Sequence, residues 1–381
     1  MSIKRSIHNF IILAFTFSFT FCAAPEQQNE AFSILQEQNF DTTIDNKPVK
    51  LFTLENEEIS VFVTNYGARI VGILTPDKKG NVEDISLGYA TISDYTRDEM
   101  FLGTMVGPYA NRIGEASFTI DTLTYNLEDN DNGNTLHSGS TGFQQVVWDV
   151  EQTGDSLIFS YTHPHLLGGF PGPVHVDMIY SLNDNNEFII DMKASSERAT
   201  VINLTNHAYF NLKGEAGGDI LGHMLMINAD STTPVNEALI PTGEIVTVKN
   251  GPFDFTSPKR IGDDINAEHQ QLIYGRGYDH NWVLNEKNTD EPVLAARLSE
   301  PVSGRVLEVY TTEPGIQFYS GNFMDGTVKG KYGKALNYRE ALALEPQNFP
   351  DSPNIPSFPN AVLKPGEEYH HTIIFKFDVE D

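Results

Sequence analysis

From about residue 48 onward the chain alternates apolar and polar residues at period two, in one stretch after another. Successive side chains of a strand point to opposite faces, so this pattern describes half-buried strands and excludes a helical bundle. The stretch 59–74, ISVFVTNYGARIVGIL, reads as strand, Asn/Gly turn, strand. Residues 116–127 read as two short strands about a tight turn. Residues 174–195 form a hairpin signal, two alternating runs about an Asn/Asp cluster. A further strand pair is expected over 305–322 and a terminal strand over 370–379. Helical candidates are confined to a turn or two near 92–98 and to 263–273. Prolines at 346, 350, 353, 356, 359 and 365 predict a stiff surface loop over 346–365. With no internal repeat and no linker-like break after residue 45, the expectation is all-β: one large antiparallel β-sandwich or barrel over 46–381.

The first 45 residues have another character. Lys4 and Arg5 precede an apolar run, FIILAFTFSFTF (10–21), too short for the ~20 residues that span a bilayer. Residues 1–21 are expected to be a secretory signal and 22–45 a polar tether. Cys22 is the only cysteine, which rules out an internal disulfide. Its place resembles the lipid-attachment site of bacterial lipoproteins, although Phe21 stands where a small residue is usual. Cleavage after Ala24 is the alternative. Either way the protein is expected to be exported, in the periplasm or held at the membrane by a lipid on Cys22. Its 25 basic against 52 acidic residues give a net charge of -27, which repels phosphate backbones and argues against a nucleic-acid partner.

Polar residues interrupt the strand pattern at a few places. In VINLTNHAYFNL (201–212) one face carries Ile202, Leu204, Asn206, Ala208, Phe210 and Leu212, and the other Val201, Asn203, Thr205, His207, Tyr209 and Asn211. His207 is thus expected to point away from the apolar layer, and Asn206, on the core face, needs a partner or a bulge. Asn111 and Arg112 stand in GPYANRIG (107–114), and His137 stands in NTLHSG (134–139). Asp279 opens GYDHNWVL (277–284), and Gln317 follows a Pro-Gly turn in TEPGIQFYSGNF (312–323). Glu345 is expected to end a strand, with Pro346 blocking its continuation. Singly, each has an ordinary structural explanation.

In this order they resemble the aldose 1-epimerase (galactose mutarotase) family, over about residues 46 to 378. N-R-I, T-L-H, T-N-H-x-Y-F-N-L, D-H-N-W-V-L, P-G-x-Q-F-Y-x-G-N and L-E-x-Q-x-x-P-D-x-x-N follow one another. The resemblance implies a β-sandwich of the supersandwich type and a free monosaccharide as substrate. It makes Glu345 the general base and His207 the general acid, with His137 assisting at the ring oxygen. Asn111, Arg112, Asp279 and Gln317 would hold sugar hydroxyls. Pro108, Asn348 and the loop 163–172 depart from the family pattern and bear on the shape of the sugar pocket. The chemistry suits these residue types. Opening an aldose ring takes a proton from the anomeric hydroxyl and gives one to the ring oxygen, and reclosure reverses both transfers, so no cofactor or metal is consumed. A carboxylate is a base at neutral pH, and an imidazole of pKa about 6.5 is an acid. A glycoside hydrolase using Asp279 and Glu345 and a non-catalytic carbohydrate-binding protein are the rival readings. A phosphosugar epimerase would need a basic cluster that the sequence lacks. His163-x-His165, with Pro164 between, reads as a loop pair without a metal. A monomer is expected.

Overall fold

The structure, a computed structural model, describes residues 34–215, 217–286 and 290–381. The signal segment 1–21 and Cys22 lie outside the described residues. The tether expected over 22–45 ends earlier than 45. Leu35 and Phe40 are buried in an apolar cluster with Phe62 and Tyr95, and Thr42–Ile44 pairs with Lys47–Val49.

Among the described residues, three antiparallel sheets carry the architecture. The largest has nine strands, in the order Asp149–Thr153, Ser156–His163, Val174–Leu182, Glu187–Ser196, Tyr369–Val379, Arg305–Thr311, Val293–Ser299, Met224–Ile227 and Lys259–Arg260. A six-stranded sheet runs Tyr209–Phe210, Leu342–Gln347, Gly315–Tyr319, Asp279–Val283, Ser231–Thr233 and Val246–Thr247. A four-stranded sheet contains Leu51–Glu55, Ser60–Thr64, Arg69–Pro76 and Val82–Asp84. This is the expected all-β sandwich. Among the described residues the α-helices Ile92–Tyr95, Ile261–Asp264 and Gln270–Gly275 each run six residues or fewer.

In the nine-stranded sheet the hairpin over 174–195 forms as read. Val174–Leu182 alternates buried and outward-facing positions, with Val176, Met178 and Tyr180 turned to the core. Asn186 takes the left-handed conformation in its turn, which asparagine tolerates. The expected pair over 305–322 does not form. Arg305–Thr311 lies in the nine-stranded sheet and Gly315–Tyr319 in the six-stranded one. Pro314 has no N–H to continue a ladder, and the chain steps there between layers.

Alternation in the six-stranded sheet positions the site. Glu345 pairs with Gln317, which pairs with Asn281, so these three and Asp279 share one face. Trp282, Phe318 and Leu344 take the other face and enter the main apolar core with Phe188 and Ile190. Each such fully buried side chain contributes about 1.5–3 kcal/mol of apolar transfer, so the polar face is held by its apolar reverse. Pro346 does not end the strand, which continues to Gln347. The neighbour on its far side pairs only with Leu342 and Ala343, so one flank at Pro346 has no ladder to break.

Candidate active site

The stretch 201–212 is not one regular strand but three short pieces, Thr200–Val201, Thr205–Asn206 and Tyr209–Phe210, and both of its faces are buried. Its asparagines serve the backbone. Asn203 Nδ2 donates to Ala110 O at 3.1 Å, and Asn206 Nδ2 donates to Gly103 O at 3.1 Å. Asn211 Nδ2 donates to Gly218 O and to Glu340 O. His207 is gripped from both sides: its N–H donates to Thr104 O and its carbonyl accepts from Gly103 N. Gly103 has φ +67, and a Cβ there would lie 1.9 Å from Ile70 O, so only glycine allows this approach. A buried ion pair fixes the same loop. Arg69 Nη1 meets Asp98 Oδ2 at 2.7 Å and donates to Leu102 O at 2.9 Å.

The imidazole of His207 reaches the floor of a cleft of about 610 Å³, which Asn111, Arg112, His137, Asp279 and Glu345 also line. His207 Nε2 and Glu345 Oε2 are 3.6 Å apart, and both side chains are nearly inaccessible. Burial raises the Glu345 carboxyl well above the ordinary carboxylate range; Asp279 raises it further and Arg112 opposes. Burial pushes the His207 imidazole down to about 4. Glu345 Oε2 and His207 Nδ1 have no hydrogen-bond partner.

His137 lies edge-on to His207, ring centroids 5.3 Å apart. Asn111 and His137 both have positive φ and lock each other: His137 N–H donates to Asn111 O, and Asn111 N–H donates to His137 Nδ1 at 3.1 Å. That bond makes Nδ1 an acceptor, so the neutral ring carries its proton on Nε2. Burial, with His207 and Arg112 beside it, holds the His137 imidazole well below its usual range and hence neutral.

Arg112 stands between two carboxylates, with Nε 2.7 Å from Asp131 Oδ2 and Nη1 4.0 Å from Asp279 Oδ2. Burial raises the Asp279 carboxyl; Arg112 and Gln317 oppose that rise. Gln317 does not line the cleft. It sits behind Asp279 and donates from Nε2 to Asp279 Oδ1 at 2.7 Å. Asn111 Oδ1 accepts from Arg112 N–H.

His137, His207 and Glu345 could each turn one ligand atom to a common point, within 4.8 Å of one another. They do not fit a metal. A histidine bound to a metal through Nε2 donates its other N–H to an acceptor, whereas Nδ1 of His137 faces a donor. His163 and His165 pin their loop instead: His163 Nε2 lies 3.1 Å from Leu167 O, and His165 Nδ1 accepts from Gly172 N–H. None of Pro108, Asn348 or residues 163–172 lines the cleft, so those departures do not shape it directly. Asn348 is buried and accepts on Oδ1 from Phe349 N–H and Ser352 Oγ.

Three residues of the site carried no isolated sequence signal. Phe101, at φ +58, lays its ring against His137 at 4.6 Å and His207 at 6.1 Å. Tyr209 packs its ring against His207 at 4.9 Å. Asp131 holds Arg112 from a loop of mixed Asn and Asp. Only Tyr209 falls inside a stretch already marked, two residues after His207.

Residues 50–376 match the family model described as aldose 1-epimerase. Galactose mutarotase of Homo sapiens is 41% identical over 331 residues, covering 87% of this chain and 94% of the relative. Aldose 1-epimerase of Escherichia coli K12 is 36% identical over 340 residues, covering 88% and 97%. An aldose epimerase homologue from C. elegans superposes with a TM-score of 0.80 at 30% identity, over 87% of this chain and 100% of that one. Galactose 1-epimerase from Lactobacillus acidophilus gives 0.78 at 29%, over 89% and 97%. In sequence and in fold, over nearly the whole length of these relatives, the chain belongs to the aldose 1-epimerase family.

Proposed function

We propose that the protein is an isomerase that interconverts the α and β anomers of a free aldose such as galactose or glucose, with Glu345 and His207 exchanging protons with the sugar. The observation that carries the assignment of roles is the 3.6 Å approach of Glu345 Oε2 to His207 Nε2 at the cleft floor. The anomeric oxygen and the ring oxygen share one carbon, so the groups that serve them must stand a few ångströms apart, as these do. Glu345 takes the proton of the anomeric hydroxyl, His207 gives one to the ring oxygen, and the C1–O5 bond opens. Rotation about C1–C2 presents the other carbonyl face, and the two transfers reverse.

The opposed displacements of the two groups fit a reversible reaction. One proton is shared by the pair. On His207 it leaves a carboxylate and an imidazolium, the pair that opens a ring. On Glu345 it leaves a carboxylic acid and a neutral imidazole, the pair that closes an open chain. Burial favours the second arrangement before a sugar arrives. His137, proton on Nε2, donates toward the same oxygen, while Arg112 and Asp279 hold hydroxyls. Asn111, which also lines the cleft, is placed to hold a hydroxyl with them, and Gln317 supports Asp279 from behind. No metal or cofactor enters this scheme.

Polarimetry on freshly dissolved α-galactose tests it: the wild type speeds equilibration and His207→Asn does not. A His207→Asn variant that equilibrates at the parent rate removes the assignment. The hydrolase reading predicts new reducing ends from oligosaccharides. Asp279, tied to Arg112 and Gln317, is poorly placed to be its second catalytic carboxyl. We also propose export through residues 1–21 with lipid attachment at Cys22; the mass of the native N-terminal peptide tests both.

A further inference from the structure

The strands carrying Gln317 and Glu345 are neighbours in the sheet, but the chain between them, 320–341, is a long excursion without a regular strand or helix. Met324, Val328 and Leu336 of this excursion form one wall of the cleft. Long irregular connections in compact domains are commonly functional. This one is pinned at its far end by a lysine with a fully buried side chain. Lys331 Nζ lies 3.0 Å from Asp84 Oδ2 and 3.1 Å from Glu215 Oε2, and donates to the carbonyls of Val71 and Ser86, each at 2.7 Å. Tyr332 OH adds a bond to Asp84 Oδ2. Glycines make the room. A Cβ at Gly330 would lie 2.1 Å from Glu215 Oε1, and one at Gly88 would lie 2.6 Å from Val71 O.

The partners come from separate parts of the site's framework. Val71 and Asp84 belong to the four-stranded sheet, and Glu215 follows the segment that carries His207. We propose that Lys331 is a positioning residue: it locks the 320–341 excursion to the framework behind His207 and so sets the cleft wall against which the sugar is held. The inference rests on the sugar-binding reading of the cleft but concerns a lysine and its partners that do not line it. Two buried carboxylates facing one ammonium also load the joint, and burial raises Glu215 to about 7 despite Lys331 beside it.

Lys331→Met alone strands two buried carboxylates, a change that destabilises strongly. The test therefore adds the charge-balanced double variant Lys331→Met with Glu215→Gln, in which Asp84 keeps its bonds to Ser86 and Tyr332. A displaced wall weakens holding without touching the proton-transfer pair. The folded variant should raise KM for galactose about tenfold while kcat stays within about threefold. Amides of 320–341 should exchange faster than in the wild type. A folded variant with the parental KM overturns the proposal, as does one that loses kcat at unchanged KM. If neither variant folds, wild-type exchange decides. Gly330 N–H and Leu336 N–H, bonded to Lys334 O and Val328 O, must then be protected like sheet amides, and rapid exchange there overturns the lock. A wild type that fails to anomerise galactose removes the functional reading and leaves the exchange measurement standing on its own.

Discussion

Two side chains, Glu345 and His207, are assigned the chemistry, and their environments fix what pH should do to it. Below about 4 His207 holds its own proton while Glu345 is already protonated, so the pair carries two protons and lacks a base. Above the raised value of Glu345 the pair carries none and lacks an acid. Between these limits it holds one proton, the count that both directions of the reaction need. We expect kcat/KM to follow a bell with an acid limb near 4 and a basic limb well above the ordinary carboxylate range, and both limbs belong to the pair rather than to either residue. Removing either partner should cost roughly 10²–10⁴-fold in kcat, typical of a lost general acid or base. Measurement of Glu345→Gln and His207→Asn by polarimetry, with circular dichroism as the folding control, checks it. His137→Gln should cost less than either, because a neutral donor is lost rather than the transferable proton. If His137→Gln is the most damaging of the three, the acid has been misassigned.

At the scale of elements, the loop 98–104 does for His207 what the sheet does for Glu345. Gly103→Ala forces a side chain into a left-handed backbone with Ile70 O in its path. It should destabilise by roughly 3 kcal/mol or more, seen as a lower urea midpoint. Gln317→Leu removes the bond to Asp279 and should raise KM several-fold with little change in kcat; a kcat effect alone would contradict a supporting role. The strands that face solvent on one side, such as Val174–Leu182, were legible because alternation survives there. Wherever both faces are covered the pattern fades, and 201–212 passed for one strand although its asparagines bind backbone and break it into three. The step between sheets at Pro314 reads in sequence as a strand pair, since two strands about a Pro-Gly turn look alike whether or not they pair. The polar residues of the cleft were legible only through motif order. Nothing local tells that Asp131 reaches Arg112 or that Lys331 is buried, because those partners come from segments far apart in sequence.

The whole molecule carries a net charge of -27, but the Glu345–His207 pair is buried and the substrate proposed for it is neutral. Stability and catalysis should therefore respond differently to salt. Like charges spread over the surface repel across distances near the Debye length, about 8–10 Å at physiological ionic strength, so added salt relieves a strain present in the compact state. Raising sodium chloride from low concentration to about 0.15 M should increase the melting temperature by a few degrees. No steering field acts on an uncharged aldose, and the buried Glu345–His207 pair is poorly screened, so kcat/KM for galactose should stay constant over the same range. A parallel fall of kcat/KM with salt would mean that encounter is guided by charge. The substrate would then have to be cationic or the functional reading wrong, because a net negative surface attracts neither a neutral sugar nor a phosphosugar.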